Sequence, residues 1–202
     1  MEFTNGDDIR EALTRVGQLL AAEGKEYAIV VLGGAALDLL EIVRRDTSDV
    51  DILAFAEPRP EKPPAVATIG RPPEPMPEAL RRAAQIVAEE LDLDEHWLNT
   101  GPALQWRAGL PPGLEARVMW ELYGSLWVGL VHRYDLVFFK LFAATDSTGP
   151  RSVHYQDLIA LKPSATELSD AVRWVETQDA SPDFARILQQ VVSHVRKDLR
   201  LE

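Results

Sequence analysis

The chain has 202 residues, 46% apolar and 26% charged, with 32 acids against 21 bases and a net charge of −11. That length supports one domain and a fraction with a self-sufficient core, and the composition excludes wholesale disorder and a fibrous protein. Cysteine is absent, which excludes a disulfide framework, a thiol nucleophile, a zinc–cysteine site and an iron–sulfur cluster.

In chain order, residues 7–23 read as an amphipathic helix, because Ile9, Leu13, Val16, Leu19 and Leu20 recur at helical spacing. Gly24 is its stop. Residues 27–32, YAIVVL, form a continuous apolar run expected to be a buried strand. Gly33-Gly34 ends it, and a short helix is expected over 35–43. Residues 48–55, SDVDILAF, alternate and predict a second strand.

Eight of the fourteen prolines fall within 57–77, which predicts a long loop, with a short strand at 66–69 as an option. It is either a functional flap or an excursion. Pro77 suits the first turn of a helix running to about Leu91. A further short helix is expected within 95–107. Strands over 115–123 and 126–131 would form a hairpin about Gly124-Ser125. Helices are then expected at 135–144, 153–161, 165–176 and 182–200, the first apolar almost all round and hence buried. The fold class is therefore α/β in the α+β sense, a small mixed sheet flanked by helices with a helical C-terminal part. The expected division is 1–133 and 134–202.

His96, His132, His154 and His194 stand far apart without ligand spacing, which argues against a structural zinc site. No apolar run approaches the ~20 residues that span a bilayer. The N-terminus, MEFTNGDDIREAL, is acidic and unlike a signal peptide, so the cytoplasm is the expected location and no membrane is expected among the partners. The acidic balance argues against a broad nucleic-acid surface, leaving room for a small, local contact. It does not argue against a nucleotide held through a metal ion.

The stretch 31–53, VLGGAALDLLEIVRRDTSDVDIL, carries the chemistry. A buried strand ends at two glycines where a helix begins. There the backbone can approach a ligand closely and unpaired N–H groups can meet phosphate. Fifteen residues beyond Gly34 stands Asp49, with Asp51 two positions on. On a strand, i and i+2 share a face, so the two carboxylates are expected to hold Mg²⁺ against substrate phosphates. Taken singly, a glycine pair is usually a turn and Asp-x-Asp a solvated strand face; the order strand, Gly-Gly, short helix, strand with Asp-x-Asp is the specific feature.

This order resembles the signature of the nucleotidyltransferase superfamily, the fold of DNA polymerase beta. The context Arg45-Asp46-Thr47-Ser48-Asp49-Val50-Asp51 is similar to the AbiEii-related bacterial nucleotidyltransferases, many of them toxins of toxin–antitoxin systems. Similar flavour is found in His96-Trp97-Leu98-Asn99, in Leu110-Pro111-Pro112-Gly113 with Arg117, in Asp135-Leu136-Val137-Phe138-Phe139-Lys140, and in Gln156-Asp157-Leu158-Ile159-Ala160-Leu161 before Pro163.

The resemblance implies that Gly33, Gly34, Thr47 and Lys140 contact a nucleoside triphosphate. It implies that Asp49 and Asp51 are metal ligands and catalytic, for Mg²⁺ or Mn²⁺. It also implies that Lys140 and Asp157 are catalytic, Asp157 either supporting the lysine or acting directly. Two departures stand out. His154 occupies the place of a companion acid, and the usual third carboxylate on a later strand has only Glu115 and Glu121 as candidates, on one face with Arg117.

Lys140 is one of five lysines and lies in the apolar stretch LVFFKLFAA. A lysine buried there needs an anion. It is either a phosphate clamp, a partner of a carboxylate such as Asp157, or a side chain whose head reaches solvent. The five tryptophans, Trp97, Trp106, Trp120, Trp127 and Trp174, read as core or groove residues. The leading expectation is an enzyme moving a nucleoside monophosphate from a triphosphate to an acceptor hydroxyl on an RNA end, a protein or a small molecule. An antitoxin-like protein partner goes with the toxin-like branch. The alternative is a catalytically weak or inactive module of the same fold, acting through nucleotide or protein binding. A nucleotide-sugar glycosyltransferase is a third reading, against which the placement of the glycines argues.

Overall fold

The computed structural model describes residues 2–59, 62–64, 69–72, 74–101, 109–146 and 152–201. The fold is α+β, as the element pattern implies. The chain divides into two units, one of residues 1–105 with 113–131, the other of 106–112 with 132–202.

The first unit is built on a mixed sheet in the order β3-β2-β1-β5-β4. Helix α1 (Gly6–Ala22) is capped by Asn5, whose side chain accepts from the Asp7 and Asp8 N–H groups. This satisfies two of the orphan donors of a first turn. Its buried stripe of Ile9, Leu13, Val16 and Leu20 is the one read from the spacing. Strand β1 (Tyr27–Leu32) is central and buried from Ala28 to Leu32, which is why it reads as an unbroken apolar run. It pairs antiparallel with β2 (Val50–Ala56) and parallel with β5 (Leu126–Leu130). Strand β4 (Met119–Tyr123) closes one edge against β5, and β3 (Leu98–Asn99) closes the other, parallel to β2.

Gly17 allows α1 to touch the β4–β5 turn. A Cβ there would stand 1.6 Å from the Tyr123 carbonyl oxygen, and the Ser125 N–H donates to Gly17 O at 3.1 Å. Helix α3 (Glu78–Leu91), with Pro77 at its N-cap, packs on α1. The contact is rimmed by two bidentate pairs, Arg15–Glu90 and Arg82–Glu23. Both are exposed and worth little singly.

The second unit contains α4 (Arg133–Asp146), α5 (Val153–Ala160), α6 (Ala165–Gln178) and α7 (Pro182–Leu199), with α4 touching the other three. Its core is aromatic. Trp174 meets Phe138, Phe139 and Phe142, with ring centroids 5.4–6.4 Å apart, and Phe142 meets Phe184. Ser164 and Glu167 form a capping box at the start of α6.

Three local expectations are corrected. The second strand begins at Val50 rather than 48, because Thr47 is bridged to Phe3 across two backbone hydrogen bonds of 2.8 and 3.0 Å. Residues 98–99 are a strand where a helix was expected within 95–107; residues 102–107 of that range lie outside the described residues. Residues 114–117 form a 3-10 turn rather than the start of a strand, so Glu115 and Arg117 do not share a strand face with Glu121. Most of the short strand considered at 66–69, and Trp106, lie outside the described residues. Among those that are described, Gly70 bridges to Phe55.

Candidate functional site

The site begins with Gly33. Its φ is +78°, a left-handed conformation that side-chain-bearing residues rarely adopt, and it turns β1 directly into α2 (Gly33–Leu39). A Cβ at Gly33 would stand 2.5 Å from Asp51 Oδ2. The bare backbone is therefore what lets the end of β1 and the acid of β2 meet. The register agrees, since Leu32 lies opposite Asp51. At Gly34 a Cβ would meet Thr47 Oγ1 at 2.8 Å and Arg45 Nη2 at 3.3 Å. The glycine pair thus faces a carboxylate, a hydroxyl and a guanidinium.

Thr47 is buried and held from both sides of the chain. Its backbone pairs with Phe3, and the Phe3 ring packs edge-on against Trp97 with centroids 5.7 Å apart. Trp97 is fully buried and anchored by its indole N–H to Ala84 O at 3.0 Å, and its own carbonyl accepts the Val50 N–H at 2.5 Å. The Thr47 hydroxyl lies 3.5 Å from Asp49 O. Asp49 sits between two pinned residues, half-buried, just before β2 rather than on it.

Asp51 is on β2 and half-buried. Its Oδ1 accepts from Asn99 Nδ2 at 3.1 Å, and Asn99 is its register partner on β3. Asn99 Oδ1 in turn accepts the Gly101 N–H at 2.9 Å. Asn99 was quoted in the sequence only as part of a resembling stretch. A two-residue strand carries no periodicity, and the buried Trp97 two positions earlier was the one available signal that this segment docks against β2.

No group of three or more His, Cys, Asp or Glu able to hold a metal ion occurs among the described residues. Of the two third-acid candidates, Glu115 is on the 3-10 turn, and Glu121 is exposed on the edge strand, where it accepts from the Tyr123 hydroxyl. What is present fits a hard divalent cation carried with a triphosphate. The donors would be carboxylate and hydroxyl oxygens, which the two missing Cβ atoms allow to lie directly against the backbone of the turn.

Lys140 and Asp157 are both in the second unit. Lys140 Nζ donates to Asp157 Oδ2 at 2.7 Å, with side chains 7% and 2% exposed. Of the three fates open to this lysine in the sequence, the carboxylate partner is the one observed. Arg133, at the start of α4, donates to Leu161 O at 2.7 Å and pairs with Glu167. Tyr155 OH donates to Asp198 at 2.7 Å, and burial together with that carboxylate pushes the phenol well above its usual value.

No helix among the described residues is long and apolar enough to cross a membrane. No family model matches the chain, and neither a curated protein nor a solved structure matches it.

Proposed function

We propose that the chain is a Mg²⁺- or Mn²⁺-dependent nucleotidyltransferase that moves a nucleoside monophosphate from a nucleoside triphosphate to an acceptor hydroxyl. The observation that carries this reading is the place of Gly33. Its missing side chain lets the Asp51 carboxylate pack directly against the turn from β1 into α2, with Oδ2 2.5 Å from where a Cβ would stand, so a cation-binding acid and the strand-to-helix backbone meet at one point. The Thr47 hydroxyl extends the same surface at Gly34.

In this reading the Gly33 and Gly34 backbone receives phosphate oxygens, and Asp49 and Asp51 hold the cation. The cation, when bound, neutralises charge on the triphosphate and favours the alkoxide form of the acceptor. The acceptor oxygen forms a bond to the α-phosphorus as the bond to the β-phosphate oxygen breaks. Pyrophosphate leaves and the hydroxyl proton passes to solvent. Positioning and charge carry such a transfer, with no covalent intermediate on the protein required. An RNA end, a protein or a small molecule would each serve as acceptor. An antitoxin-like protein partner and a cytoplasmic setting belong to the toxin-like form of the proposal. The reading rests on the first unit alone.

A second reading is favoured by a specific observation: the neighbour of Asp51 on β3 is an amide, and no third acid completes the pair among the described residues. The chain would then bind nucleotide and act through it or through a protein partner, with weak or no transfer. Incubation with each labelled nucleoside triphosphate, Mg²⁺ or Mn²⁺ and total RNA separates the two. Label transferred by wild type and lost in Asp49→Ala supports the enzyme. Nucleotide binding without transfer to RNA, protein or small acceptors supports the module. Equal transfer by both chains removes Asp49 from the chemistry.

A further inference from the structure

The Gly101 N–H settles which way round the Asn99 carboxamide sits. Its oxygen accepts from Gly101 at 2.9 Å, so its nitrogen is the atom turned to Asp51 Oδ1 at 3.1 Å. The side chain next to Asp51 is therefore a fixed donor and adds no negative charge. It is placed by register, since Asn99 lies directly opposite Asp51 and Trp97 anchors the short strand from the core. One oxygen of Asp51 is held by this donor while the other lies where Gly33 has no side chain.

We propose that Asn99 is a positioning residue that fixes the Asp51 carboxylate, and that the site consequently takes its divalent cation as a cation–nucleoside triphosphate complex rather than as the bare ion. This rests on the proposed nucleotide-binding role of Gly33 and Asp51. Two carboxylates give a hard cation few anionic oxygens, so the triphosphate must supply the rest. An acid at position 99 would supply a third carboxylate beside the second and would make the bare ion bind. Removing the amide altogether would take away this hold on Asp51 Oδ1. Partners that orient a metal-binding carboxylate typically change metal affinity by ~10–100-fold when lost.

The experiment uses the full chain, with Mn²⁺ as the paramagnetic probe for the bare ion and calorimetry with a Mg²⁺–triphosphate complex. Wild type, Asn99→Ala, Asn99→Asp and Asp51→Asn are compared. Asn99→Asp is expected to gain bare Mn²⁺ affinity by about tenfold or more, and Asn99→Ala to lose about tenfold in affinity for the complex. Asp51→Asn should abolish both the gain, when combined with Asn99→Asp, and the binding of the complex. A merely structural asparagine would not move the two substitutions in opposite directions. Circular dichroism and the melting temperature establish that each variant is folded, and a misfolded Asn99→Ala leaves the Asn99→Asp result to decide. If Asn99→Asp gains no Mn²⁺ affinity while wild type binds the complex, the role of Asn99 is overturned and the nucleotide reading stands. If wild type binds no triphosphate with or without the cation, the nucleotide reading fails, and with it the proposal. Tight saturable Mn²⁺ binding by wild type alone overturns the claim that the ion comes with the nucleotide.

Discussion

Two acidic centres in this molecule are built on opposite plans. In the second unit, Asp157 meets a lysine at 2.7 Å and both side chains are almost wholly covered. In the first, Asp51 stays half-buried, one oxygen held by an amide and the other beside a residue with no side chain. A buried cation matched by a buried anion has little left to offer a ligand without breaking the pair. A neutral donor gives its carboxylate a hydrogen bond and no opposite charge. The difference teaches that burial alone does not describe an acid's setting: one carboxylate is covered and matched by a cation, the other is held by a neutral amide at a strand-to-helix turn.

The largest effect should come from breaking the pair in the second unit. Lys140→Met leaves the Asp157 carboxylate without its cation, and urea unfolding should report a loss of about 3–5 kcal/mol. Adding Asp157→Leu should recover most of it, because an apolar pair of similar size is tolerated where a lone charge is not. A double variant as unstable as the single one would mean that α4 and α5 depend on something other than this pair.

The next effect belongs to the first unit. Gly33→Ala meets both a left-handed backbone and the Asp51 carboxylate, so a stability loss of about 1–3 kcal/mol is expected, with strong loss of triphosphate binding in calorimetry. Gly34→Ala has no unfavourable φ and meets Thr47 Oγ1 at 2.8 Å, so its cost in stability should be smaller. Equal costs would mean that the contact with Asp51 relaxes freely and that the cradle is softer than its geometry implies.

The sequence made the long elements legible because burial follows their period. The α1 stripe, the unbroken run of β1 and the apolar α4 are each where the pattern put them. It also brought out the glycine pair and the acid that faces it, Asp51, since strand, turn and strand are local, whereas Asp49 lies just before β2 and not on it. What it hid is non-local. Asn99 reaches Asp51 from 48 positions away on a strand two residues long. The start of β2 is set by a bridge to Phe3, which no spacing near residue 48 encodes. The 3-10 turn at 114–117 interrupts a run whose composition suits a strand. On the edge strand β4, Leu122 is 52% exposed while Trp120, two positions earlier, is half-buried, a difference that residue type and spacing do not encode.

The smallest effect sharpens the comparison from a third acid. Asp38, on α2, is buried, and its Oδ2 has no hydrogen-bond partner among the described residues. Burial raises its carboxyl above the ordinary value, against the pull of Arg44, the Gly6 N–H, Arg10 and Arg45. The folded chain therefore keeps this proton to a higher pH than the unfolded chain does. The stability contributed by the protonated form is complete below the unfolded value and is lost as pH rises through the raised folded value. Asp38→Asn fixes the neutral form and keeps an oxygen for Gly6. At pH 7 it should stabilise by about 1 kcal/mol, seen as a rise of about 2–4 °C in melting temperature. The gain should shrink as the pH is lowered below the ordinary carboxyl range, where wild type is itself protonated. If Asn instead destabilises at pH 7, the three arginines outweigh burial, and Asp38 belongs with Asp157 as an acid matched by cations rather than one merely tolerated.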